Sequence, residues 1–156
     1  MAHIWKLEST AWLLRPLDGI TTIGDATITR AGGVDAGARW IVLGPSTIRV
    51  NGASLAAGIA VLRDRDELWM DGARMFFSTE TRATCVPCPS GQRALRCPRC
   101  TTSIVTGSPA VACPQCGVWH HQSDERECWV YSAVCASCDH PTALDAPYRF
   151  DPAVLL

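Results

Sequence analysis

The first half of this chain contains no cysteine, and no apolar run anywhere in it reaches the length of a membrane span. A bilayer-crossing helix needs about twenty consecutive apolar residues, so a soluble protein without membrane contact is expected. A cationic surface is missing too. Residues 1–84 carry nine basic and nine acidic side chains, and residues 85–156 carry five and six. Phosphate-backbone binding wants clustered Lys and Arg under a net positive field, so nucleic acid is disfavoured as a partner. Lys6, Glu8 and Arg15 interrupt MAHIWKLESTAWLLRP before a secretory apolar core can form. A cytoplasmic protein with reduced thiols is the expectation.

What the chain does hold is nine cysteines, all in its second half. Eight form four CxxC pairs, Cys85/Cys88, Cys97/Cys100, Cys113/Cys116 and Cys135/Cys138, while Cys128 follows the doublet His120-His121. A CxxC turn holds two thiolates on one side of a tight loop, and two such turns complete a tetrahedral zinc site. In CPQCG the proline fixes one φ of the turn, and Gly117 can take the positive φ that brings backbone N–H groups to the sulfurs. Disulfides do not suit a reducing compartment, and a thioredoxin-type motif is a single CxxC in a βαβ setting. Structural zinc is the reading that remains. The Cys-rich part also has few large aliphatics, so metal would have to supply the folding energy its core lacks, on the order of 10–16 kcal/mol per site.

At 156 residues the chain allows one ordinary domain or two small ones, and the confinement of cysteine to the second half favours two, with the break near residue 80. Short β-type runs fill the first part: 11–16, 27–30, 39–43, 47–50, 58–62, 67–70 and 74–78. Turns fall at Asp18-Gly19, Gly32-Gly33, Gly44-Pro45, Asn51-Gly52 and Asp71-Gly72. That spacing predicts a mostly β, small antiparallel sandwich. The stretch TIRVNGASLAAGIAVLRDRDELWMDGARMFF is similar to the C-terminal half of a forkhead-associated domain. The family's phosphothreonine site uses an arginine in an I-G-R turn and a serine in an S-R-x-H motif. Here the matching places read Ile23-Gly24-Asp25 and Ala36-Gly37-Ala38-Arg39. An acid at the phosphate position repels a dianion, so the resemblance implies the fold without the usual activity, in a domain of residues 1–80 that docks a partner or target protein.

From Cys97 the order Cys97, Cys100, Cys113, Cys116, His121, Cys128, Cys135, Cys138 resembles RING and PHD fingers, particularly the RING-type fingers of bacterial proteins. The resemblance implies a small α+β module over residues 97–140 with two zinc ions in a cross-brace, the first and third pairs sharing one ion and the second and fourth the other. Two departures leave the ligands open. QSDERE lengthens the gap between His121 and Cys128, making His120 a possible substitute. Residues 81–96, otherwise a linker, hold Cys85 and Cys88, which could partner Cys97 and Cys100 or hold a third ion. Asp124 and Glu127 are spaced as a capping box for a short helix over 128–131.

By the same resemblance, a groove for a ubiquitin-conjugating enzyme would be lined by Arg99, Ile104, Trp129, Val130, Ala136 and Ser137, with no catalytic nucleophile. The function implied is a RING-type ligase or adaptor. It would orient the charged enzyme for transfer of a ubiquitin-like protein. The other reading is a non-enzymatic, zinc-stabilised interaction scaffold, in which Ile104 and Trp129 fill a thin core. Arg99 replaces the usual apolar residue of the groove; Asp139, where an activating basic residue is usual, and the lengthened QSDERE loop favour the scaffold. The Pro-containing tail, residues 141–156, could pack on either domain.

Overall fold

A computed structural model describes residues 2–32, 39–91, 94–144 and 146–155. The chain divides into two compact units, the first made of residues 1–80 and 149–156 and the second of residues 81–148. Among the described residues no α-helix forms, and the one helical element is a 3₁₀ turn at Pro152–Leu155.

The first unit is built from ten strands: β1 (Ala2–Glu8), β2 (Ala11–Leu17), β3 (Thr21–Ile23), β4 (Ala26–Ala31), β5 (Arg39–Leu43), β6 (Arg49–Val50), β7 (Ala53–Ser54), β8 (Ile59–Leu62), β9 (Glu67–Met70) and β10 (Ala73–Ser78). They form one sheet in the order β2-β1-β10-β9-β6-β7 and another in the order β3-β4-β5-β8, antiparallel throughout. Period-two alternation puts Ile4, Leu68, Met75 and Phe77 of the larger sheet and Ile28, Val42 and Leu62 of the smaller into one shared core. The runs expected from the sequence fall on β2, β4, β5, β6, β8, β9 and β10. The Asn51-Gly52 and Asp71-Gly72 turns have φ of 51° and 81°, and 53° and 66°, the double positive φ of a type I′ hairpin. Gly33 and Ala36-Gly37-Ala38 lie outside the described residues.

Glu80 closes this unit. Its carboxylate accepts the backbone N–H of Arg149 (2.6 Å) and of Phe150 (3.0 Å), where the chain returns from the second unit. Phe150 then packs edge-on against Phe76 at 5.4 Å, and Phe76 meets Trp12 at 5.5 Å. The tail from Arg149 onward therefore belongs to the sandwich, with Phe150 seated on Phe76 of its larger sheet.

The second unit begins at Thr81, not at Cys97. Residues 81–96 are no linker, because Cys85–Pro87 forms β11, which pairs with β12 (Pro109–Ala112), and β12 with β13 (Trp119–His121). The short helix expected over 128–131 is absent. Ser123 and Arg126 exchange backbone bonds of 3.2 and 3.0 Å, so Asp124 sits in a hairpin turn rather than at a helix cap. Trp129 N–H donates to His121 O (3.0 Å), and only Tyr131 N–H to Glu127 O (2.9 Å) has helical spacing. The result is one turn, not an α+β module.

Candidate metal centres

Two turns of the second unit repeat one another bond for bond. Cys97 N–H donates to Thr102 O (3.0 Å) and Thr101 N–H returns to Cys97 O (2.8 Å); Cys113 N–H donates to Val118 O (2.9 Å) and Gly117 N–H to Cys113 O (2.8 Å). Each needs a residue of positive φ after its second cysteine, Thr101 at 60° and Gly117 at 72°. Proline directly after the first cysteine, in CPRC and CPQC, presets the turn.

These turns face two different partners. Cys97 and Cys100 gather with His121 and Cys128, and Cys113 and Cys116 gather with Cys135 and Cys138; within each set the ligand atoms all lie within 4.8 Å of one another. Along the chain the two sets interleave. All nine cysteines are free thiols. Cys113 Sγ lies 3.6 Å from Cys138 Sγ and Cys116 Sγ 3.8 Å from Cys135 Sγ, too far for a disulfide. They match the edge, about 3.8 Å, of a tetrahedron whose metal–sulfur bonds are about 2.3 Å. Cys100 Sγ to His121 Nδ1 is 3.4 Å, as the shorter metal–nitrogen bond requires. Each set can hold one metal ion.

Around the ligands lies a supporting shell that the spacing of cysteines did not reveal. His121 Nε2 donates to Ser103 O (3.2 Å), leaving Nδ1 free as the ligand atom. Arg126 Nη1 donates to Thr102 Oγ1 (2.7 Å), so the Thr102 hydroxyl hydrogen is left for Cys100 Sγ at 3.1 Å. That hydroxyl, against the pull of burial and with the Thr102 amide adding to it, holds the Cys100 thiol down to about 6. Burial first, then the neighbouring Cys100 sulfur, pushes Cys128 up to about 12, and burial does the same to Cys113. With metal absent, each set keeps protons that an ion must displace.

His120 and the first CxxC pair stand outside both sets. His120 is fully buried, donates Nδ1–H to Val118 O (3.2 Å), packs edge-on against Trp129 at 5.1 Å, and brings Nε2 to 3.8 Å from Cys135 Sγ. It thus lies beside the four-cysteine set, and burial lowers its pKa. CVPC places its proline third, and Val86, preceding a proline, takes an extended conformation. Three residues of strand span about 10 Å, which separates Cys85 from Cys88 beyond the reach of one tetrahedron. Cys85 is exposed with its thiol toward Gln122 O (3.4 Å), whereas Cys88 is buried beside Ile104 and Cys97.

The expected docking groove is only partly at the surface. Ile104 is 5 % exposed and Trp129 0 %, so both are core, Trp129 among Ala83, Val111, Cys113 and Cys135. Arg99 is engaged internally, donating Nε to Cys128 O (2.8 Å) and Nη2 to Val134 O (2.7 Å) beneath the Tyr131 ring. Val130, Ala136 and Ser137 are exposed, and so are Tyr131 and Val134, which the sequence reading passed over.

In the sandwich, Asp25 sits on the β3–β4 turn and shares with Asp71, Thr47 and Trp69 a cavity of about 330 Å³. A phosphate dianion entering there meets two carboxylates. Asn51 is committed to structure: its amide donates to Asp66 Oδ1 (2.8 Å) and its carbonyl accepts Glu67 N–H (2.9 Å).

No family model, curated protein or solved structure matches this chain.

Proposed function

We propose that this chain is a zinc-folded protein–protein adaptor. Two structural zinc ions assemble the second unit, and the sandwich engages a partner protein. One observation carries the reading: each centre has four protein ligands, Cys₃His and Cys₄, and so leaves no position open for water or substrate. Closed four-ligand sites are the structural kind, while catalytic zinc keeps a free position. The sulfur-rich donor sets and near-tetrahedral spacing favour zinc over hard, oxygen-seeking cations. Cobalt substitution tests it. The cobalt protein should show intense tetrahedral thiolate bands unchanged by azide or imidazole; bands that shift on adding either ligand would reveal an open position and overturn the structural assignment.

The interleaving of the two ligand sets favours a second, narrower reading, a RING-like adaptor or ligase in a ubiquitin-like conjugation pathway. Its docking surface would be the exposed Val130, Tyr131, Val134, Ala136 and Ser137 on loops fixed by the two zinc ions and Arg99. Orientation of a charged carrier needs no open metal site. Discharge of a ubiquitin-charged conjugating enzyme, faster with the zinc-loaded chain and not with Val130→Asp, would support it. Equal discharge rates with and without the chain would remove it.

A further inference from the structure

The four-stranded sheet ends on β8, whose sequence is Ile59-Ala60-Val61-Leu62. An exposed sheet edge offers unpaired N–H and C=O groups to any extended strand, and proteins blunt such edges with proline, charge, bulges or brevity. The other edges of the sandwich are blunted in these ways. β2 carries Arg15 and Pro16, β7 is two residues long and β3 three. β8 has neither charge nor proline.

Which backbone groups of β8 are free follows from its pairing with β5. Gly44 N–H donates to Gly58 O (3.0 Å), and bonded pairs recur every second residue in an antiparallel ladder. Ala60 and Leu62 therefore aim their backbone groups at Val42 and Trp40. Ile59 and Val61 turn theirs to the free edge, where no loop among the described residues bonds them. Their side chains stand on the outer face, 48 % and 47 % exposed, beside Leu43 and Ile41. Thr27 and Thr29 continue that face in register, so the patch of six side chains carries no charge.

We infer that β8 pairs antiparallel with β8 of a second copy of this chain, about a two-fold axis through Ala60, joining two four-stranded sheets into one of eight. The strand fits itself at each position. Ile59 meets Val61 of the second copy and Val61 meets its Ile59, the two pairs whose free N–H and C=O groups can exchange four hydrogen bonds. Ala60 meets its own copy on the axis, in the non-bonded pair where Cα atoms approach to about 4.5 Å, and its small inward side chain leaves that space. Arg63, the first charge beyond the strand, falls opposite exposed Ala57 rather than another Arg63, so no like charges oppose each other. So short a seam makes a weak, concentration-dependent dimer. This inference does not depend on the zinc-adaptor reading.

Sedimentation equilibrium on the full, zinc-loaded chain tests it. The mass should rise from the 16.8 kDa of one chain toward twice that value between micromolar and millimolar concentration. Val61→Pro removes an N–H that only the second copy uses, and so should leave the chain monomeric with its melting temperature little changed. Amide exchange on the unaltered protein gives a reading independent of any variant. Protection at Ile59 and Val61 should grow with concentration, while Ala60 and Leu62 stay protected at every dilution. A mass that remains 16.8 kDa at millimolar concentration, exchange at Ile59 and Val61 that ignores concentration, or a folded Val61→Pro chain that dimerises as before overturns the inference.

Discussion

Arg99 shows how much of the second unit rests on single side chains. It spans from the Cys97–Cys100 turn to the loop carrying Cys128 and Val134, giving two backbone carbonyls a charged donor. Bonds to charged groups contribute about 1.5–3 kcal/mol each, less where water can replace them. Arg99→Ala should therefore destabilise the second unit by roughly 2 kcal/mol or more in denaturant melts, and Arg99→Lys, which lacks the fork, should not restore it. His3 governs a different response. Burial first lowers its pKa below the ordinary 6.5, with Glu80 and Asp64 partly opposing. A depressed folded-state value means that the unfolded chain takes up the proton first. The stability from neutral His3 is whole above pH 6.5 and is lost as pH falls through the lowered folded value. His3→Gln should flatten that acid limb of the melting curve; an unchanged limb would show that His3 does not titrate on unfolding.

At the scale of elements, the sandwich strands that alternate cleanly were legible, because β4, β5, β8 and β9 have one face in the core and turns rich in glycine beside them. β1 was not. Its inward Ala2 and Ile4 are buried, but outward His3 is buried too and outward Trp5 and Leu7 are half-buried, so the period-two signal is blurred. In the second unit the cysteine spacing brought the eight gathered ligands to notice, and the position of proline separated the true turns, CPRC and CPQC, from the extended CVPC. The strands β11 to β13 carry too few apolar residues to announce themselves; they are held by the centres they flank. The helix at 128–131 failed because backbone bonds to His121 and across the Ser123–Arg126 hairpin outcompete a capping box. Asn51 ties the β6–β7 turn to the β8–β9 loop through two side-chain bonds. Asn51→Gly keeps the positive φ but loses both, and should cost about 1–3 kcal/mol by chemical denaturation. A neutral result would mean that water replaces Asn51 there.

For the whole molecule, the decisive arrangement is that one unit is interrupted by the other. The chain leaves the sandwich at Glu80 and returns at Arg149, and the Glu80 carboxylate holds the returning backbone. The sandwich has a continuous apolar core of its own, whereas the inserted unit has two small clusters that include seven of its cysteines. Chelation should therefore unfold residues 81–148 and spare the sandwich, read by amide resonances of β4 and β5 persisting while those of β12 and β13 collapse. Acid should favour the chelator, since protons compete for Cys113 and Cys128, whose thiols are pushed to about 12.

The central claim is that eight of this chain's side chains grip two metal ions, and native mass spectrometry of the purified protein with its Cys85→Ser/Cys88→Ser and Cys116→Ser variants tests it most directly. Two zinc ions per chain in the unaltered protein and the double variant, and fewer than two in Cys116→Ser, is the result required. A metal-free protein that is nonetheless folded, or an ion lost when Cys85 and Cys88 are replaced, contradicts the account.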